Sequence, residues 1–177
     1  MNVLILHGSC RVNGVTGQLA DEFAHGVKDA GHHVTKVELR EKTIKDCAGC
    51  GACQINGGNC VQIDDMATIY QEILEADVIV LASPVYYYTW TSLMKRTLDR
   101  TFALQSLLHN KKFFLLSAGA APEEQYMQIM LDSYRQYIFC FEENEDGGYV
   151  MACGMNAPID AEGTEYIQQA YEMGKSI

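Results

Sequence analysis

Basic residues are scarce in this sequence. Lys and Arg number 13 against 23 Asp and Glu, a net charge of −10. That balance argues against a broad nucleic-acid footprint, which needs clustered positive charge, and against anionic membrane surfaces. Long apolar runs are missing as well: none approaches the ~20 residues that cross a bilayer as a helix. The first residues show no basic region followed by a cleavage site, so no signal peptide is expected and a cytoplasmic location is. Two glycine signatures are also absent. There is no Gly-x-Gly-x-x-Gly, which argues against a dinucleotide-binding fold, and no Gly-Lys-Ser/Thr, which argues against a P-loop. No linker or internal repeat interrupts the chain, so its 177 residues read as one domain.

What is present is alternation. Apolar runs at 3–6, 33–39, 77–82, 111–117 and 148–153 read as strands. Between and after them, residues 16–30, a stretch starting at Asp64-Asp65, and residues 91–109, 122–139 and 162–175 read as helices. The run Asp77 to Ala82 is almost continuously apolar and rich in β-branched residues, as a central parallel strand buried on both faces requires. Five βα units predict an α/β fold: a doubly wound, five-stranded parallel sheet of order 2-1-3-4-5 with helices on both faces. In that order a crevice opens at the carboxyl ends of strands 1 and 3. The loops at 8–15, 83–91 and 117–122 then face it, and these are the loops of unusual composition.

The first loop, GSCRVNGVT, leads from strand 1 into a helix. A helix N-terminus offers free N–H groups and a partial positive charge, so an anion fits there. Gly14 lets the backbone approach, Ser9 and Thr16 carry hydroxyls, and Arg11 carries charge. A single phosphomonoester suits this set; a capped helix start with no ligand suits it too. The second loop, SPVYYYTW, packs four aromatics into positions 86–90 behind a central strand. A planar ligand on Tyr86, Tyr87 or Trp90 accounts for it, and so does an aromatic subunit contact. In the third loop, Ser117 to Ala120, small residues would let backbone amides reach the same ligand.

Seven cysteines are present, at 10, 47, 50, 53, 60, 140 and 153. An odd number in a chain without an export signal argues against a disulfide framework. Cys47, Cys50, Cys53 and Cys60 cluster in a long loop at about 40–63, with spacings x2, x2 and x6. Overlapping Cys-x-x-Cys pairs with a later fourth cysteine suit iron–sulfur ligation. A four-thiolate zinc site and a metal-free loop stay open beside it. Cys140 and Cys153 read as packed core thiols, and Cys10 lies in the first loop.

The combination of GSCRVNGVT, a cysteine loop ending in IDDM, and SPVYYYTWTSLMKRTLDR resembles the flavodoxin-like NADPH-dependent FMN reductase family. It is especially similar to the branch that includes iron–sulfur flavoproteins. The resemblance covers residues 1 to about 119, and the remainder fits in outline. It implies bound FMN, with Ser9, Arg11, Gly14, Val15 and Thr16 around the phosphate. Pro84, Val85, Tyr86 and Tyr87 would lie against the isoalloxazine, and Ser117 to Gly119 would close the other side. It permits a [4Fe-4S] cluster on Cys47, Cys50, Cys53 and Cys60. Two departures stand out. Val15 occupies a position where the family usually has asparagine, which removes a side-chain donor. Tyr88 stands where a small residue is usual.

Other polar residues read structurally. His7, at the end of strand 1, suits a structural role, and Asp64-Asp65 suit a helix start. Lys95, Arg96 and Arg100 suit a solvated face or a pair with Asp99, with attraction of NADPH phosphates as the other reading. Glu142, Glu143, Glu145 and Asp146 suit a solvated turn. The expectation that emerges is an oxidoreductase passing hydride from NAD(P)H to FMN and on to a small-molecule or redox-protein acceptor. The cofactor would carry the chemistry, so no protein nucleophile or acid–base dyad is expected. A homodimer closed over the ring through residues 86–90 is expected with it. An electron carrier without NAD(P)H oxidation, and a binding module for a phosphorylated ligand, are the alternatives.

Overall fold

The computed structural model describes all residues, 1–177. Its five strands are β1 (Asn2–His7), β2 (His33–Glu38), β3 (Val78–Pro84), β4 (Lys112–Ala118) and β5 (Glu145–Ala152). Every pairing is parallel and the order is β2-β1-β3-β4-β5, as expected. The register sets Leu6 beside Leu81 and Ser83 beside Ser117. The carboxyl ends of β1, β3 and β4 therefore lie side by side. Helices are α1 (Val15–Asp29), α2 (Ala52–Ile55), α3 (Met66–Glu75), α4 (Ser92–Arg100), α5 (Gln128–Phe139) and α6 (Glu165–Lys175).

The pleat divides the strands between two cores. Leu4, Leu6, Ile79 and Leu81 face one side, where Ile69 and Ile73 of α3, Met94 and Leu98 of α4, and Met130 and Tyr134 of α5 meet them. Val3, Ile5, Val78 and Val80 face the other, under Leu19, Phe23 and Val27 of α1 and Ala170 of α6. The four-residue spacing of Leu19, Phe23 and Val27 is the helical period read from the sequence. Helices α1 and α6 cross at Gly26 and Gly174. A Cβ on Gly26 would lie 2.1 Å from the Tyr171 carbonyl oxygen, and one on Gly174 would lie 2.1 Å from that of Phe23. Only glycine permits that approach.

Several boundaries differ from the sequence reading. The helix expected over 91–109 ends at Arg100 and continues as one 3-10 turn, Thr101–Leu104. The helix expected from 122 begins with a 3-10 turn, Glu124–Met127, and that expected from 162 starts at Glu165. The long loop contains 3-10 and α turns at Leu39–Glu41 and Ala52–Ile55. Strand β5 starts at Glu145, so Glu145 and Asp146 belong to the sheet and not to a turn. An edge strand tolerates such charges because one side meets solvent. Asp146 accepts from the Tyr134 hydroxyl at 3.1 Å and from Arg135 Nε at 3.1 Å. No helix is long and apolar enough to cross a membrane.

Candidate functional site

A crevice of about 310 Å³ opens at the carboxyl end of the sheet. Three loops converge on it, as the strand order requires. Ser9, Arg11, Gly14, Val15 and Thr16 come from the β1–α1 loop and the start of α1. Pro84, Val85 and Tyr86 come from the end of β3, and Ala118, Gly119 and Ala120 from the end of β4.

The first loop is built around its own backbone. Ser9 Oγ accepts from the Arg11 N–H at 3.1 Å. Gly14 is the N-cap of α1 and supplies no side-chain hydrogen bond, so no cap side chain covers the first-turn N–H groups. A Cβ on Gly14 would lie 3.3 Å from Arg11 Cβ and 3.4 Å from Ser9 Oγ. Thr16 is buried against the crevice wall and Arg11 is exposed at its mouth.

The second loop is held by Thr91. Its Oγ1 donates to the Gly8 carbonyl at 2.6 Å and accepts from the Met94 N–H at 3.2 Å, capping α4. The aromatic segment closes in a tight turn: Tyr86 and Thr89 exchange backbone hydrogen bonds of 2.9 and 3.2 Å. Tyr87 and Tyr88 at its tip have φ of 47° and 69°. Positive φ at both central residues is normally the province of Asn and Gly, so two tyrosines there store strain.

The third loop depends on Gly119. A Cβ there would lie 2.6 Å from Met127 sulfur and 3.3 Å from Val85 Cβ. Its N–H donates to Ala152 O at 3.0 Å, and its carbonyl accepts from Met155 at 2.8 Å. That second bond carries the chain after β5 onto the crevice, where Met155, Asn156 and Ala157 form a fourth wall. The sequence reading did not include this wall. A signal was there in Asn156-Ala-Pro-Ile-Asp160: the Asp160 carboxylate accepts from the Asn156 and Ala157 N–H groups at 2.8 and 2.7 Å, fixing the segment.

Of the eleven residues assigned to the flavin, nine line the crevice and two do not. Tyr87 points to solvent and is 97% exposed. Ser117 is wholly buried, and its hydroxyl donates to the Ser83 carbonyl at 2.8 Å. Trp90 is also unavailable to a ligand: it is 5% exposed and its Nε1 donates to Ser133 Oγ at 2.8 Å. Apart from Arg11 and Tyr86, the lining has no titratable side chain.

His7 lies beneath the first loop, buried, with Nδ1 2.6 Å from Glu38 Oε2. Burial holds its pKa below the usual imidazole range, although Glu38 pulls the other way. Burial raises the Glu38 carboxyl, but hydrogen bonds from His7 and Lys36 outweigh that and leave it lowered.

The four clustered cysteines come together at a second place. Cys47, Cys50, Cys53 and Cys60 line one cavity of about 90 Å³, closed by Arg100, Phe102 and Ala103. All are free thiols. Their side chains do not converge as a ligand set, for no group of three or more His, Cys, Asp or Glu is arranged to hold a metal ion. Arg100 corrects the sequence reading. It is buried and forms a bidentate pair with Asp64, at 2.6 and 3.1 Å; Asp99 pairs with Lys95 instead. Asp64 also accepts the Met66 N–H at 3.1 Å, the helix-start role expected of it. Cys140 is exposed and Cys153 half-buried, so neither is a core thiol.

With this geometry in view, comparison with known proteins is specific. An iron–sulfur flavoprotein of Methanocaldococcus jannaschii is 32% identical over 185 residues, covering 100% of this chain and 95% of that protein. An iron–sulfur flavoprotein of Archaeoglobus fulgidus is 38% identical over 100 residues, 56% of this chain; the match spans only 45% of that longer relative. Among solved structures, an azoreductase from Bacillus anthracis superposes with a TM-score of 0.76 over 100% of both chains, at 18% identity, a likeness of fold. Residues 1–133 match the profile described as NADPH-dependent FMN reductase. Three-quarters of the sequence thus carries that signature, and its crevice sits where the sheet winding reverses: the chain belongs to the NADPH-dependent FMN reductase family.

Proposed function

We propose that the chain is an FMN-dependent NAD(P)H oxidoreductase of the flavin or quinone reductase type. The observation that carries this reading is the pairing, in one crevice, of uncapped N–H groups at the start of α1 with a wall of small residues. The N–H groups at Gly14–Thr16, the Ser9 hydroxyl and the Arg11 guanidinium suit a phosphate. Pro84, Val85 and Tyr86 on one side, and Ala118, Gly119 and Ala120 on the other, suit a flat ring. FMN bound there would accept hydride from NAD(P)H and release electrons to an acceptor.

The chain's own part is positioning. The crevice is lined by no carboxylate, histidine or cysteine, and the Tyr86 phenol is its one side chain of the kind that exchanges protons in catalysis. Arg11 neutralises phosphate charge, the β3 and β4 termini fix the ring, and Asn156 brings the only side-chain amide. The exposed Tyr86–Tyr88 turn is the surface on which a second subunit would close over the ring.

Cys47, Cys50, Cys53 and Cys60 line one cavity without converging as a ligand set, so this arrangement does not fit a [4Fe-4S] cluster and no step of the reaction passes through one. The net charge of −10 favours a second reading as an electron carrier. Steady-state NADPH oxidation by FMN-loaded protein with a quinone acceptor separates the two. Turnover dependent on the bound flavin supports the reductase; flavin reduced by protein donors but not by NADH or NADPH supports the carrier.

A further inference from the structure

One buried polar atom beneath the crevice has no partner. His7 closes β1 with its side chain wholly buried, and its Nδ1 lies 2.6 Å from Glu38 Oε2. Nε2, on the other edge of the ring, meets no donor or acceptor. Burying a polar atom unpaired costs stability, so its position asks for a reason. The free edge faces the first turn of α1. A Cβ on Gly17 would lie 3.4 Å from His7 Cε1, 3.6 Å from Nε2 and 3.7 Å from the Val12 carbonyl oxygen. That turn is the one whose N–H groups no cap side chain covers. The ring thus packs against the first turn from inside, while the crevice adjoins the same turn at Gly14–Thr16.

The charges around His7 set its proton. Glu38 and Lys36 come from β2, Arg40 and Glu41 from the turn that follows, and Asp21 from α1. On its other side β3 places Ala82 beside His7, and Arg11 of the first loop is exposed at the crevice mouth. Glu38 meets Lys36 Nζ at 3.1 Å and also Arg40 Nη1. Lys36 pairs with Asp21 at 2.6 Å, and Arg40 Nη2 with Glu41 at 3.1 Å. In this network three carboxylates face two cations, so a proton on His7 would balance it. Burial opposes that proton and holds the imidazole below its usual range. The ring stands between two opposed forces, and a new anion nearby would tip it. A phosphomonoester brings about −1.5 to −2 charge at neutral pH, and charges attract more strongly in a protein interior than in water. Protonation also turns Nε2 from an unpaired acceptor into a donor, with the Val12 carbonyl on that side.

We infer that His7 is a positioning residue that couples phosphate binding to proton uptake: an anion at the N-terminus of α1 draws a proton onto Nε2, and the imidazolium in turn holds the anion. The inference rests on the phosphate reading above. One proton moves from solvent to the ring, and nothing is oxidised or reduced. By linkage, binding that raises the ring's affinity for a proton must itself strengthen as pH falls.

The test follows the five histidine rings of the full-length protein by NMR across pH, with His7 assigned by through-bond correlation to its backbone. Titrations are run on the apoprotein and on protein saturated with FMN or with riboflavin. The proton affinity of His7 is expected to rise about threefold or more with FMN and to keep its apoprotein value with riboflavin, which lacks the phosphate. In parallel, FMN dissociation constants are measured for wild type and His7→Gln from about pH 8 to about pH 5.5, where histidine titrates. The phosphate's own titration is common to both proteins, so the ratio of variant to wild type isolates His7, and it is expected to grow as pH falls. FMN that binds and leaves the His7 titration unmoved overturns the inference while the flavin site stands. An equal rise with riboflavin assigns the effect to the flavin ring and overturns it too. A ratio that stays constant with pH makes His7 only a prop of the loop and has the same consequence. Should His7→Gln fail to fold, the wild-type titration decides alone. Protein that binds neither flavin overturns the flavin reading, and this inference falls with it.

Discussion

Thr91 Oγ1 lies 2.6 Å from the carbonyl oxygen of Gly8, joining the start of α4 to the turn that follows β1. Both groups are buried, and the same hydroxyl accepts the Met94 N–H. One side chain therefore caps a helix and sets the spacing between two walls of the crevice. Thr91→Val keeps the shape and removes the hydroxyl. A lost cap and a buried carbonyl left unpaired should lower stability by about 2 kcal/mol. Denaturant unfolding of the apoprotein checks this, and FMN affinity should fall with it.

Arg11 is exposed at the crevice mouth, so its attraction for phosphate is screened. Arg11→Ala should weaken FMN binding about three- to tenfold, and the difference from wild type should shrink at high salt. Flavin fluorescence titrations at two ionic strengths measure both effects. An unchanged dissociation constant would remove Arg11 from the phosphate site.

Gly119→Ala places a methyl group 2.6 Å from Met127 sulfur and 3.3 Å from Val85 Cβ. Met127 is flexible and can yield, but only by moving within a filled core. Overpacking of this kind should cost about 1–3 kcal/mol and narrow the space between the β3 and β4 termini. Thermal unfolding and FMN affinity should decline together.

Acid should destabilise the fold in steps. His7 has a pKa lowered from 6.5, so the native state resists a proton that the unfolded chain accepts. Its contribution is complete above that value and is lost as pH falls through the lowered native pKa. Glu38 and Asp64, lowered from 4.5 and 3.8, act in the same direction at lower pH. Arg100 and backbone donors outweigh burial at Asp64. The melting temperature should therefore decline as pH drops below about 6.5. In His7→Gln that first part of the decline should flatten, which a pH series of thermal melts reads directly.

The strained turn offers a prediction of opposite sign. Replacing Tyr87-Tyr88 with Asn-Gly gives the positive φ values to residues that adopt them readily. Stability should rise by about 1 kcal/mol or more. If the tyrosines serve the proposed subunit contact, sedimentation should show the variant shifted towards monomer.

Much of this arrangement was legible in the sequence because it is written in local patterns. The apolar run at 77–82 and the spacing of Leu19, Phe23 and Val27 fixed which strands are central and which helix face is buried. Topology then aimed three loops at one crevice. What escaped depends on distant partners. Trp90 looked like a ligand platform, but Ser133 of α5 draws its indole inward. Arg100 looked solvated because its helical neighbours are polar, whereas its real partner is 36 residues away in sequence. The Met155–Ala157 wall depends on a backbone bond from Met155 to Gly119 and on the Asp160 carboxylate that accepts from Asn156 and Ala157. The four cysteines read as a ligand group line one cavity, but short spacings alone do not bring their side chains together as ligands.

The central claim is that a phosphate-bearing flavin occupies the crevice with its phosphate at Ser9–Thr16. Parallel titration of the apoprotein with FMN and with riboflavin tests it most directly, since the two ligands differ only in that phosphate. Charge-assisted hydrogen bonds contribute about 1.5–3 kcal/mol each, so FMN should bind at least tenfold more tightly. Equal affinities, or no binding of either, would contradict the account.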